Sequence, residues 1–199
     1  MTITLAWIAV IVIVFTSLGL LLARDWRLSI ILLAVQFLGM FMLTLQHWPL
    51  GMASVKVVAG WMSAAVLGMT RSGLTGEESD EESSWLRGRL FRFFTAGIVL
   101  LIAAVVTPDV DTVMADPGFP VTNGSLVLIG MGLLHLGVST RVLRVTIGLI
   151  TVLSGFEILY SAVENSVLVA ALLAAINLGL ALVGAYLMVA SDQPEAESV

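Results

Sequence analysis

The chain has 199 residues, of which 59% are hydrophobic and only 12% charged, at a mean hydropathy of +1.06. Soluble domains carry about 25% charged residues, so this much apolar surface cannot be hidden in a water-soluble core, and the bilayer is the expected solvent. The net charge of −5 comes mostly from one acidic segment and the tail, and no basic patch supports nucleic-acid binding. The absence of cysteine excludes disulfides, thiolate metal sites, iron–sulfur clusters and cysteine nucleophiles. No basic segment precedes the first apolar run, so a cleaved signal peptide is not expected.

Seven apolar stretches are long enough to cross a bilayer, at roughly 3–23, 28–46, 50–70, 90–107, 124–140, 142–163 and 167–190. A crossing takes about 20 helical residues. The runs are continuously apolar and too long for strands. The expected fold is therefore all-α, a polytopic bundle of about seven transmembrane helices. Its expected parts are a three-helix membrane segment (1–71), an acidic cytoplasmic linker (72–89), a four-helix membrane segment (90–191) and a disordered tail (192–199). Within the linker, SGLTGEESDEESS combines glycine and serine with five acids that repel one another, the composition of a solvated flexible segment. The stretch TPDVDTVMADPGFP (107–120) reads as a turn-rich loop, and its aspartates lack the spacing of an EF-hand.

The basic residues predict an orientation. Eight of the nine are arginines: Arg24, Arg27, Arg71, Arg87, Arg89, Arg92, Arg141 and Arg144. All flank the connections after spans one, three and five. The opposite connections carry His47, then Asp109, Asp111 and Asp116, then Glu164, with no lysine or arginine. By the positive-inside rule the arginine side is cytoplasmic, the N-terminus outside and the C-terminus inside. Trp7 and Trp48 are expected near the outer interface, Trp26 near the inner one, and Trp61 packed against another helix.

Four polar side chains fall well inside spans: Gln36, Lys56, Glu157 and Asn177. At the helical rise, Lys56 lies roughly 9 Å and Glu157 about 10 Å inside the outer ends of their helices. The matching depths allow an ion pair or a proton relay. Lys56 reads alternatively as snorkelling to the headgroups, and Glu157 as a neutral acid hydrogen-bonded within a packed bundle. Gln36 and Asn177 have the chemistry of interhelical hydrogen-bonding residues as well as of a polar path. His135, near the inner end of span five, reads as a packed or interfacial histidine, and no second histidine shares its depth to bind a metal. Gly148 and Gly155 in span six, with Gly179 and Gly184 in span seven, predict close helix approach. There is no Gly-rich phosphate loop, no HExxH and no paired carboxylates on one span, so no catalytic site, cofactor or metal is expected.

The segment GSLVLIGMGLLHLGVSTRVLRVTIGLITVLSGFEILYSAVENSVLVAALLAAINLGLALVGAYLMVA resembles the three-helix subunit K of respiratory complex I. It is equally similar to the small three-helix component of the multisubunit sodium/proton antiporters. The shared features are a short basic turn, an IGL-type opening, a GFE-type glutamate and a third helix of small residues. With the front half included, and with ASVKVVAGWM around Lys56, the layout is similar to membrane component E of hydrogenase-4 and formate hydrogenlyase complexes. The front half alone, DWRLSIILLAVQFLGMFM and SVKVVAGWMSAAVLGMT, also resembles subunit J of NADH-quinone oxidoreductase.

The resemblance implies a subunit without a redox cofactor, in the cytoplasmic (inner) membrane. Its neighbours would be antiporter-like subunits, along a path for protons or sodium ions. Glu157 would match the glutamate of the second helix. Asn177 stands where the family's third helix has its glutamate. Anchoring instead on Arg144 and Gly148 puts the family glutamate near Ile150, two turns away on the same helix face. The expected function is a non-catalytic subunit of a proton- or sodium-translocating complex. Glu157, Lys56, Asn177 and Gln36 would line its ion path. The alternatives are a structural or assembly subunit with no ion path, and a stand-alone small transporter.

Overall fold

The computed structural model describes residues 3–74, 85–114 and 117–192. The expected flexibility of the linker's acidic centre and the expected disorder of the tail fall on 75–84 and 193–199, outside the described residues. All regular structure among the described residues is helical: α1 (Ile3–Leu22), α2 (Trp26–Thr44), α3 (Leu50–Gly73), α4 (Trp85–Val113), α5 (Phe119–Val138), α6 (Val142–Val163) and α7 (Val167–Asp192). All seven are long and apolar enough to cross a membrane.

Local chemistry sets several helix ends. Asp25 caps α2, its carboxylate accepting from Arg27 N at 2.9 Å, which satisfies a donor that helix geometry leaves free. Pro49 precedes α3 and Pro120 sits in the first turn of α5, where a missing N–H costs nothing. Between α4 and α5 the chain turns through Gly118 at φ +100°, a conformation that favours glycine. Asp111 fixes that turn, accepting from Gly118 N at 3.1 Å and from Thr122 Oγ1 at 2.6 Å.

This turn corrects the expected boundaries. The helix α4 runs from Trp85 to Val113, so the last residues of the expected linker, 85–89, are helical, as is most of the expected 107–120 loop. Pro108 lies inside α4 without ending it. Next to it Thr107 Oγ1 donates to Ala103 O at 2.6 Å and accepts from Asn123 Nδ2 at 3.1 Å. Thr122 and Asn123 are buried in α5, which starts at Phe119 and not at 124. Polar residues that resemble a loop in the sequence here bond one helix to the next.

The helices form two layers. In one, α1 packs on α2 and α2 on α3; in the other, α5 packs on α6 and α6 on α7. Across the layers α1 faces α5, α2 faces α6 and α3 faces α7, while α4 flanks α5 and α1 at one edge. Contacts at both ends set the directions. Trp7 of α1 meets Phe119 of α5 with ring centroids 5.8 Å apart. Trp48, between α2 and α3, donates to Glu164 O, between α6 and α7, at 3.0 Å. Each facing pair therefore runs parallel. At the other end Arg92 and Arg144 donate to Leu21 O (3.4 Å) and Ala23 O (3.2 Å), placing cations on the C-terminal carbonyls of α1.

The tightest approach is between α5 and α6. Ser125 Oγ donates to Gly155 O at 2.6 Å, and a Cβ on Gly155 would lie 2.8 Å from Ser125 O. Gly148 also faces α5, whereas Gly184 meets Thr146 of α6 and Gly179 faces open space. The expected close faces thus exist at three of the four glycines, with those of α6 turned to α5. The outward surface is apolar: Phe91, Phe94 and Leu101 of α4 and Leu168, Leu172 and Tyr186 of α7 are exposed, as lipid contact requires. Trp61 meets another helix as expected but is only half-buried: the residue is 48% exposed, and its indole N–H donates to Ala34 O of α2 at 3.1 Å.

Candidate functional site

Four helices, α2, α3, α7 and α6, close a ring, each packing on the next. Each carries one buried amide or ionisable side chain: Gln36, Lys56, Asn177 and Glu157. Lys56 lies on α3 and Glu157 on α6, both six residues from the ends that carry the Trp48 and Glu164 turns. That is a depth of about 9 Å for each at the helical rise. α3 and α6 are not a closely packed pair; the long lysine stem bridges the distance.

The two charges meet. Lys56 Nζ is 2.7 Å from Glu157 Oε1, with side chains 1% and 0% exposed. Lys56 therefore does not snorkel. Its ammonium is held inward and lies 5.8 Å from the centroid of the Trp48 ring, within cation–π range. Trp48 is itself 3% exposed and fastened to Glu164 O. It stands at the end of the bundle opposite the arginines, as expected, but packs inside the protein beside the lysine instead of facing lipid. A charge-assisted hydrogen bond of this length is among the strong ones. Removing either partner would leave an uncompensated charge in an apolar bundle.

Gln36 and Asn177 bond to neither charge. Gln36 Nε2 donates to Ser17 Oγ at 2.9 Å and Thr151 Oγ1 lies 3.4 Å from Gln36 Oε1, so this amide ties α2 to α1 and α6. Asn177 is fully buried, and neither of its side-chain polar atoms has a hydrogen-bond partner among the described residues. Glu157 Oε2 is in the same condition. Such groups are rare in a folded interior and each calls for a physical reason. The site holds two tied polar groups, Lys56 and Gln36, and two with unmet hydrogen-bonding capacity, Glu157 and Asn177.

Sequence reasoning missed Trp48, Ser17 and Thr151. Trp48 lies eight residues before Lys56, a spacing that helical periodicity would have aligned had the intervening turn been read as continuous with α3. Ser17, beside Thr16, and Thr151 are hydroxyls within apolar runs and gave no signal. Among the described residues no group of three or more histidine, aspartate or glutamate side chains is placed to hold a metal ion. Asp111 is occupied in the α4–α5 turn. Comparison with protein-family profiles, with curated proteins and with solved structures finds no match to this chain.

Proposed function

We propose that the chain is a non-catalytic, multi-pass subunit of a complex-I-related assembly that moves protons or sodium ions. Its buried polar site would take part in that movement. The observation that carries the reading is the pairing of Lys56 and Glu157 across the four-helix ring, at 2.7 Å and out of contact with solvent. Ionisable residues inside a membrane are costly and rare, and they mark ion pathways and proton relays. The free oxygen of Glu157 and the unpartnered amide of Asn177 supply the polar atoms a hydrated path needs. In this reading Glu157 carries the protonation change, Lys56 holds it in place, Asn177 orders water or the ion, and Gln36 fixes α2 against α1 and α6. The arginine end faces the cytoplasm, and antiporter-like subunits are the neighbours.

The test is Glu157→Gln in the native membrane. The expected outcome is an assembled complex whose ion translocation in inverted vesicles is lost or sharply reduced. Intact assembly with intact translocation would sink the conduction role.

The complete burial of the pair under Trp48 favours a second reading, a structural clamp with no ion path. It predicts that a Lys56→Met/Glu157→Leu double variant assembles and translocates normally. The first reading predicts that this double variant assembles without translocating.

A further inference from the structure

At the end of the bundle opposite the arginines, solvent contact stops at Trp48. Pro49, Glu164 and Asn165, in the two turns there, are exposed, whereas Trp48 is 3% and Lys56 1% exposed. The Lys56–Glu157 pair lies about 9 Å from this end of α3 and α6. It lies about 22 Å from the start of α6 at the arginine end. In that longer interval α6 buries Ile147 and Ile150, and α3 buries Leu67, all without solvent contact. The short route from the pair to water therefore runs past Trp48.

Three elements hold Trp48 in place. Its backbone N–H donates to Thr44 O at 2.9 Å, which ties it to the end of α2. Its indole N–H donates to Glu164 O at 3.0 Å, in the turn between α6 and α7. Its ring centroid is 5.8 Å from Lys56 Nζ on α3. Moving the ring out of this seat breaks one hydrogen bond and one cation–π contact. Helical side chains lean toward the N-terminus of their helix, which for α3 is this end, so the lysine stem already points at the opening. Once the ring is gone, the stem can snorkel to water. Glu157 Oε2 has no hydrogen-bond partner among the described residues, so the carboxylate keeps an acceptor for what enters.

We propose that Trp48 gates the Lys56–Glu157 site, and that the site exchanges its proton or cation with the aqueous phase at the end opposite the arginines. With the indole bonded to Glu164 O the site is closed. With that bond open, the ring clears Lys56, the lysine turns outward and Glu157 meets water. Access is one-sided and is set by a side chain that carries no charge of its own. The inference rests on the proposed function for the ion that passes. It does not rest on it for the access, which is measurable with no ion moving.

Lys56 is the single lysine of the sequence, so an impermeant sulfosuccinimidyl ester finds no other side-chain amine in the chain. Right-side-out and inverted vesicles of native membranes carrying the full chain are treated with it. Acylation of the peptide containing Lys56 is followed by mass spectrometry. Gln46→Cys, labelled by an impermeant maleimide, reports which vesicles present the Trp48 end. Wild-type Lys56 is expected to react slowly, and only in those vesicles. Trp48→Phe keeps a ring and loses the bond to Glu164 O, so Lys56 should react about fivefold faster, the worth of one hydrogen bond. Trp48→Ala loses both contacts and should raise the rate about tenfold or more. Leu67→Ala opens a core cavity in α3 nearer the arginine end and lowers the melting temperature comparably, yet should leave Lys56 as slow as in the wild type. Equal rates in the wild type and Trp48→Ala would overturn the gate, as would acylation from both sides. So would a Leu67→Ala rate matching that of Trp48→Ala, which would make the ring one structural prop among others. Where Trp48→Ala fails to assemble, Trp48→Phe decides the same question. If labelling follows expectation while Glu157→Gln translocates normally, the gate stands and the proposed function falls.

Discussion

Lys56 and Glu157 are the residues on which the interior is most exposed to error. Each neutralises the other at 2.7 Å with almost no solvent contact. Losing one member of a buried pair costs about 3–5 kcal/mol, whereas replacing both with apolar side chains of similar volume is often neutral. Glu157→Leu alone is therefore expected to lower thermal stability in detergent by about that amount, and Lys56→Met alone to do the same. The double variant should recover most of the loss. Unfolding midpoints of the four proteins check this, and a double variant no better than the worse single one would rule out a direct pair. Trp48 contributes through two separable contacts, the ring over Lys56 and the N–H to Glu164 O. Trp48→Phe keeps the first and gives up the second, so a loss of about 1 kcal/mol is expected. Trp48→Ala gives up both and opens a cavity, at about 3–5 kcal/mol.

At the scale of elements, the α5–α6 contact and the turns at the Trp48 end are the sensitive parts. Gly155→Val would drive a side chain into the backbone of α5 at Ser125 and Ile129, and backbone cannot move aside cheaply. A destabilisation of several kcal/mol, on the order of other overpacked sites or larger, is expected. Gly179→Ala is the opposite case. Nothing lies within 4 Å of the added methyl, so the substitution should be neutral or gain up to about 1 kcal/mol of helix propensity. A matched pair of melting curves separates the two. The 45–49 turn adds a pH dependence. Burial pushes the His47 imidazole below its ordinary range, and a hydrogen bond to the Pro117 backbone opposes the shift. The unfolded chain then binds a proton that the folded chain refuses, so stability rises with pH across the interval between the two pKa values. His47's contribution is complete above about pH 6.5 and is lost as acid is added below it. Melting temperature should fall between about pH 7 and pH 5.5, with His47→Gln removing that part of the slope.

For the molecule as a whole, the two parallel layers keep all described arginine-bearing turns at one end and Asp109, Asp111 and Glu164 at the other. The positive-inside rule predicts that the arginine end is cytoplasmic. The natural chain has no cysteine, so single cysteines report sidedness without background. A cysteine at Thr140 should be labelled by an impermeant maleimide only in inverted vesicles, and one at Gln46 only in right-side-out spheroplasts. Reversed labelling would invert the topology and place the ion pair nearer the cytoplasm.

The number and class of the elements were legible in the sequence, because seven long apolar runs admit only helices when no water is available to backbone groups. So was the depth match of Lys56 and Glu157, since helical rise converts residue number into distance along the bundle axis. Contact across the bundle was not legible. Rise says nothing about which helix stands beside which, and four neighbours had to assemble before Lys56 could be told from a snorkelling lysine. The same limit hid the cover formed by Trp48, whose partners are 8 and 116 residues away in the chain. It also made Thr122 and Asn123 look like loop, when their polarity is consumed by Asp111 and Thr107 on the adjoining helix. The chain's own chemistry determined that it forms membrane-length helices and how deep its charges lie. Only the tertiary packing decided which polar groups meet, because a buried hydrogen bond is specified by two elements and written in neither alone.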